Sequence, residues 1–248
     1  MFTNELLDIL HDLKENYHIS GLKSEFEAEG ACFDEVMALR KLSNIFNLNL
    51  TLKIAGCEAI RDMIDAKTIK PNIIVAPMIE SSYAMKKFVD ATDSILAKEN
   101  MEFYINIETE LGYQNLDSML ISEEFKKIDG VVLGRSDMNL SLGNIGVESN
   151  KMFQIVSSVA EKTLLKGKKY IVGGSVGIDS IPFLKQIALN GFETRKVVFD
   201  NYALESNIEQ GIEKAILFEK KWLEYKQLTF KTITNRDKSR LELLSTRV

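Results

Sequence analysis

Two carboxylates stand out by their type and spacing. Glu108 closes the run Ile105-Asn106-Ile107-Glu108-Thr109, and Asp137 closes Gly130-Val131-Val132-Leu133-Gly134-Arg135-Ser136-Asp137, 29 residues further on. Each run reads as a β-strand ending on an acid, and the separation is that of one strand–helix unit, which delivers both acids to neighbouring strand ends. Paired carboxylates at such a place can share a hard divalent cation, Mg²⁺ or Mn²⁺, and leave its other positions to water and substrate. Acids at these positions can equally cap the helices that follow. The pattern alone leaves both readings open.

The elements that must hold these acids alternate along the whole chain. Strand patterns fall at 21–27, 50–54, 72–76, 103–107, 130–133, 169–172 and 195–199, with helical patterns at 34–46, 58–67, 83–97, 116–127, 150–165, 181–189 and 205–226. An opening amphipathic helix covers 4–14, with Leu6, Ile9, Leu10 and Leu13 on one face. This alternation favours a TIM (β/α)8-type barrel, with a doubly wound open sheet second. No Gly-x-Gly-x-x-Gly follows the first strand, which removes support for a dinucleotide-binding sheet. Seven strands are legible rather than eight. Either one is poorly marked near 18–21, or the N-terminal helix covers a gap where a first strand would be.

The chain has 248 residues, 45% of them hydrophobic, with three prolines and no low-complexity run, as expected of a single barrel domain over 1–248. Residues 1–19 form its N-terminal helical segment and 228–248 a C-terminal tail. A net charge of −5 gives no general reason to expect nucleic acid or an anionic membrane as partner. The basic cluster Lys231, Arg236, Lys238, Arg240 and Arg247 reads as a solvated tail or an oligomer contact. No apolar run is long enough to span a bilayer, and the acidic N-terminus is unlike a signal peptide, so a cytoplasmic protein is expected. Cys32 and Cys57 form no metal-type pair and are expected to be reduced thiols.

The segments around the two acids resemble the HpcH/HpaI aldolase and citrate lyase β-subunit superfamily. The likeness is carried by the Ile-Glu strand end at Glu108, by Asn115-Leu116-Asp117, by the stretch from Asp129 through Asp137 to Gly143, and more weakly by Val75-Ala76-Pro77-Met78-Ile79-Glu80-Ser81. It covers roughly residues 24–200. It implies a TIM barrel in which Glu108 and Asp137 bind Mg²⁺ or Mn²⁺ and a keto acid such as pyruvate or oxaloacetate chelates to the ion. The metal would stabilise the enolate, and backbone N–H groups near Arg135, Ser136 and Asp137 would hold the keto-acid carboxylate. The implied activity is a metal-dependent carbon–carbon lyase of the aldolase type, acting on a small hydroxy, keto or sugar acid. A citrate-lyase-like acyl-thioester lyase and a non-catalytic keto-acid-binding barrel are the alternatives.

The chain departs from the family pattern at three places. Lys53 stands where the aldolases place an arginine beside the enolate oxygen, keeping the charge but losing the bidentate fork. Glu27-Ala28-Glu29-Gly30 replaces Gly-Glu-His, and the two histidines, His11 and His18, lie in the N-terminal segment. Attention therefore shifts to the strand alternation that places Lys23, Glu25, Glu27 and Glu29 on one face, where they would pair with Lys53 or Arg195. Glu29 is the candidate acid/base and Glu27 a hydroxyl-binding group; a structural salt-bridge layer is the other reading. Arg135 replaces a proline and is suited to a second anionic group on the substrate. Gly174 and Ser175 could cradle an anion in a late loop. Arg195, at the start of the last strand, is expected to serve stability. Trp222, Leu223, Leu241, Leu243 and Leu244, in or beyond the last helix, suggest burial against a partner in a homo-oligomer, and the resemblance implies a trimer or hexamer.

Overall fold

Strands with apolar residues on one face and mixed residues on the other can roll into a closed tube, and eight of them do so here in the order in which they occur. The computed structural model describes residues 2–96 and 101–245, so the end of the expected 83–97 helix and the basic Arg247 lie outside the described residues. The elements run α1 (Asn4–Tyr17), β1 (Ile19–Glu25), α2 (Phe33–Ile45), β2 (Asn49–Lys53), α3 (Ile60–Ile69), β3 (Ile73–Ala76), α4 (Ser82–Ile95) and β4 (Glu102–Ile107). They continue with α5 (Glu110–Gln114), α6 (Leu116–Leu120), β5 (Gly130–Gly134), α7 (Arg135–Ser141), α8 (Asn150–Leu165), β6 (Lys169–Gly173), α9 (Ile181–Leu184), β7 (Gly191–Glu193), β8 (Val197–Asp200), α10 (Ile208–Thr229) and α11 (Asn235–Ser245).

Strands β1 to β7 are parallel, as the alternation predicts, but β8 is antiparallel to both β7 and β1. The eighth strand missing from the sequence reading is β7. It has three residues and precedes a tight hairpin in which the Thr194 and Val197 backbones pair (2.9 Å). Phe192 and Phe199 face each other across this hairpin with stacked rings 4.9 Å apart, a cross-strand pair that fixes its register. Neither an additional strand at 18–21 nor a gap behind the N-terminal helix is present: His18 ends α1 and residues 19–21 are the first part of β1.

The reversal of β8 reshapes both ends of the barrel. The turn before it, with Arg195 and Lys196, joins the rim where β1 to β7 end, and its last residue, Asp200, lies at the opposite end. Helix α10 then runs back along the outer wall beside α1, with Tyr17 Oη bonded to Gln210 (3.1 Å) and the rings of Phe2 and Tyr225 5.3 Å apart.

The principal core lies between the outward strand residues, such as Leu22, Leu52, Ile74, Ile105, Leu133 and Val172, and the surrounding helices. The apolar cluster inside the bore is small: Val75, Tyr104 and Val132, with Ile73 and Ile171 packed on it. Residues 228–245 are not a loose tail. Helix α11 folds back onto α10 through a two-pronged Arg240–Glu219 ion pair (2.6 and 2.7 Å), and Thr234 and Asp237 form a reciprocal cap at its start (2.8 and 3.1 Å). Trp222, Leu223 and Leu244 are buried by these helices of the same chain, so the argument that a partner must cover them does not hold. No helix among the described residues is long and apolar enough to cross a membrane. Cys32 and Cys57 are free thiols.

Candidate active site

Helix capping distinguishes the two readings of Glu108. The cap of α5 is Thr109, whose hydroxyl oxygen accepts from the Gly112 N–H (3.1 Å) and donates to Glu80 (2.6 Å). Glu108 is thereby left out of the helix start and turns into the barrel mouth. Helix α7 has Gly134 at its cap and no side-chain capping bond, so Asp137 in its first turn does not cap it either.

The Glu108 carboxylate is 2% exposed. Its Oε1 accepts from the Met78 backbone N–H (2.9 Å), and its Oε2 from Asn106 Nδ2 (2.6 Å) and Lys53 Nζ (3.1 Å). Strand β5 makes room for it at Gly134, where a Cβ would lie 2.9 Å from Oε2. Burial raises the Glu108 carboxyl above its ordinary range; Lys53 and the Met78 N–H act against that rise, and the charge of Asp137 adds to it. Asp137 itself is open to solvent. Asn106 Oδ1 is buried beside Glu108 with no hydrogen-bond partner among the described residues.

This donor set fits a hard divalent ion. Glu108, Asp137 and the unpartnered Asn106 Oδ1 are all oxygen donors, and no third His, Cys, Asp or Glu among the described residues joins them, which matches the sparse protein ligation usual for Mg²⁺. Asn106 was not singled out from the sequence. Its signal was the period-two alternation that puts it on the face of Glu108, two residues along.

Lys53, at the end of β2, is the buried cation of the site and also stands 3.7 Å from Glu27 Oε2. Strand β1 stops at Glu25, so the predicted one-sided row divides. Lys23 and Glu25 point into the bore and pair with each other (2.9 Å), Lys23 also with Glu193. Burial alone would raise Glu25, but Lys23, Lys53 and Arg195 outweigh it and hold the carboxyl at about 2. Glu27 emerges half-exposed at the rim. Glu29 folds back, accepting from the Glu25 backbone N–H (3.2 Å) and pairing with Lys196 (2.5 Å).

Glu29, the expected acid/base, thus leaves the strand face it was expected to share with Lys23, Glu25 and Glu27. It lines a small internal cavity with Glu35, Lys226 and Asp237, and burial raises its carboxyl although Lys196 pulls the other way. The expected network with Lys53 and Arg195 does form, through Glu27 (3.7 Å) and Glu29 (3.9 Å) respectively.

Arg135 is corrected outright. It is fully buried, bonded to Glu148 (3.0 Å) and Ser180 (3.2 Å) and stacked over Phe183 at 5.0 Å, so it has no surface to offer a substrate. The reason is its place as the first residue of α7, from which its side chain packs toward α9. The half-exposed cation at the rim is instead Arg195, carried there by the β7–β8 hairpin; the stability role expected of it assumed a parallel last strand. Ser136 and Ser175 meet through their hydroxyls (2.8 Å). Gly174, with φ +81°, lies directly against the N–H groups of Arg135 and Ser136, where a Cβ would come within 2.5 to 2.6 Å of them.

Comparison with known proteins bears on the family and the fold. The profile of the HpcH/HpaI aldolase/citrate lyase family matches residues 53–177, from Lys53 through both carboxylates to the loop after β6. Among solved structures, an HpcH/HpaI aldolase from Desulfitobacterium hafniense superposes with a TM-score of 0.61 at 13% identity, covering 86% of this chain and 89% of that one. The citrate synthase SbnG superposes at 0.59 with 16% identity over 76% and 81%. A family protein from Burkholderia cenocepacia gives 0.59 and 12% over 77% and 92%. At these identities the superpositions show a shared fold. No curated protein sequence matches the chain. With half of its length matched, including the strand ends that carry Glu108 and Asp137, the chain belongs to the HpcH/HpaI aldolase/citrate lyase family.

Proposed function

We propose that the protein is a carbon–carbon lyase acting through the enolate of a small keto acid of the pyruvate or oxaloacetate type, with Mg²⁺ or Mn²⁺ held by Glu108 and Asp137. Family membership supports a lyase. The observation that carries the finer reading is Glu108 itself: a buried carboxylate released from capping, beside an open Asp137 and an orphaned amide oxygen. When bound, the ion supplies Lewis-acid stabilisation of the oxygen on which negative charge develops.

The chain's own residues supply the rest. Lys53 Nζ brings a second positive charge to that oxygen from a site where little water screens it. Glu27 Oε2, at the rim beside Lys53, takes the proton of the substrate hydroxyl as the carbon–carbon bond breaks. Glu29 positions the hairpin through Lys196, and Arg195 receives a second anionic group of the substrate. Ser136 and Ser175, joined by their hydroxyls, border the keto-acid carboxylate, with Gly174 fixing the loop over the α7 N–H groups.

Exchange of the pyruvate methyl protons in D2O, followed by NMR, tests this reading. Exchange that requires Mg²⁺ or Mn²⁺ and is lost in Glu108→Ala is expected; equal exchange after chelation overturns it. One observation favours a second reading, a non-catalytic keto-acid-binding barrel: both histidines lie in or just after α1, away from the rim. Calorimetric binding of pyruvate with neither exchange nor turnover over a panel of aldehydes would select it. Cleavage of an acyl-thioester and not of free keto acids would select the citrate-lyase-like alternative.

A further inference from the structure

The end of the barrel remote from Glu108 contains a cavity of about 420 Å³. That is within the range of small-ligand sites and far above the roughly 10–15 Å³ that one water requires. Eight-stranded barrels usually fill this layer with bulky branched side chains. Here the inward positions at this level include Gly21, Thr51, Gly130 and Gly191. Gly130 lets the Tyr104 ring lie flat against β5, since a Cβ there would be 2.7 Å from the ring, and the middle of the bore is left unfilled. Side chains that would bury apolar area in this layer are thus given up for an open, partly polar mouth.

Two of the three charged side chains lining this cavity are matched. Lys169 is paired with Glu102 (2.7 Å), and Glu193, at the roof, with Lys23. Asp200 accepts only the Tyr202 N–H (3.1 Å) among the described residues, which leaves one negative charge in surplus and disfavours anions. The neutral groups are the ones without partners. Among the described residues, the Asn49 amide, the Thr51 hydroxyl and the Tyr202 hydroxyl make no side-chain hydrogen bond, and Asn190 uses only its Oδ1 (2.8 Å, from the Tyr170 N–H). Between them lie the apolar surfaces of Ile73, Val132, Ile171 and the Tyr104 ring.

We propose that this mouth binds a neutral, hydroxyl-rich small molecule of monosaccharide or cyclic-polyol size, its hydroxyls on Asn49, Thr51 and Asn190 and its C–H faces against Tyr104 and the aliphatic side chains. Amphipathic lining with no free cation selects that class over sugar phosphates and carboxylates, and so over the substrates of the other end.

Saturation-transfer NMR on the full chain tests the proposal, with glucose and myo-inositol as probes and the anions glucose 6-phosphate and gluconate as charged controls. The neutral probes are expected to bind in the millimolar range and both charged controls at least about tenfold more weakly, the energy of one or two hydrogen bonds lost or one charge misplaced. Thr51→Leu, which removes a hydroxyl and fills the bore, is expected to weaken binding at least about tenfold while pyruvate exchange at the far rim is unchanged. If that variant fails to fold, Asn49→Ala at the exposed mouth carries the same test with an expected weakening of about threefold. The proposal is overturned if neither neutral probe binds at about 50 mM, if a charged control binds as well as they do, or if the folded variant binds like the unmodified chain. These readouts are independent of the lyase reading, since binding is measured without turnover.

Discussion

The two mouths of this barrel are made from the same eight strands and differ in what their inward side chains do with charge. At the end where β1 to β7 terminate, Lys23, Glu25, Lys53, Glu108, Glu193 and Lys196 are all buried and all paired, and Asp137, Glu27 and Arg195 stand at the edge of that layer. At the other end glycines, amides, a hydroxyl, a tyrosine and aliphatic side chains surround an unfilled space, with Lys169 and Asp200 as charges at its mouth. A packed ionic layer holds few side chains in fixed positions at high electrostatic cost, which suits the stabilisation of a developing charge; a neutral, roomy end suits recognition without chemistry. The comparison can be broken from either side.

The largest effect should come from Glu108. Glu108→Ala is expected to lower pyruvate exchange by about 10³-fold, in line with the loss of a preorganised electrostatic group, with far-UV circular dichroism unchanged. Lys53→Ala should follow at about 10²-fold, and Lys53→Arg should recover part of that because the charge is restored. Full activity in Glu108→Ala would mean that the ionic layer is structural only.

The second effect is on stability and belongs to the same end. Glu25 is held at about 2 in the folded chain against an ordinary 4.5. A depressed carboxyl stabilises the fold above its unfolded value and loses that contribution as pH falls through the folded one, so the loss should run from about pH 4.5 down to about 2, on the order of 3 kcal/mol in all. Glu29 and Glu108, whose carboxyls are raised, act with the opposite sign: their contribution is full at low pH and declines as pH rises. Urea unfolding in steps from pH 6 to pH 2 measures the balance. Glu25→Gln should flatten the acid limb, and an unchanged limb would contradict the assignment.

How far the sequence reveals this contrast depends on how local each signal is. The ends of β4 and β5 are legible because alternation, a strand-terminal acid and a motif coincide within a few residues, and the fold class follows from repeated alternation. The neutral mouth is not legible, since inward glycines and amides at the strand starts carry no motif, and which face they line depends on register. Strand β7 escapes because three residues are too few to show a period, and the reversal of β8 is decided by the Thr194–Val197 turn. That one reversal moves Arg195 from the expected stability face to the rim. It also lies outside the stretch that matches the family profile, as do Glu27 and Glu29. The cap formed by Thr234 and Asp237 also carries a local signal, but the basic residues around it read as a tail; with the Arg240–Glu219 pair it shows why the segment after Thr229 is ordered.

The two arginines separate rim function from structural burial. Arg195→Met is expected to raise the KM for an anionic substrate by about tenfold with kcat little changed, the pattern of lost uniform binding. Arg135→Met should leave KM alone and cost about 2 kcal/mol in urea unfolding, because Glu148 and Ser180 lose their buried donor. The reverse pattern would restore Arg135 to the substrate and return Arg195 to a structural role.

The smallest effect is expected outside the barrel wall, at α11. Arg240 clamps α11 to α10 through Glu219, and Lys226 joins Glu35 and Asp237 (3.0 and 3.3 Å) over the small cavity that Glu29 also lines. Arg240→Met removes a bidentate pair that is partly exposed on the arginine side, so the expected cost is about 1 kcal/mol. Its value is diagnostic. If α11 only covers α10, the pyruvate-exchange pH profile should not move. If the cavity transmits the position of α11 to Glu29, and through Lys196 to the hairpin carrying Arg195, the KM for an anionic substrate should rise with the loss of stability. A stability change with KM unchanged would confine the ionic layer's influence to the rim itself.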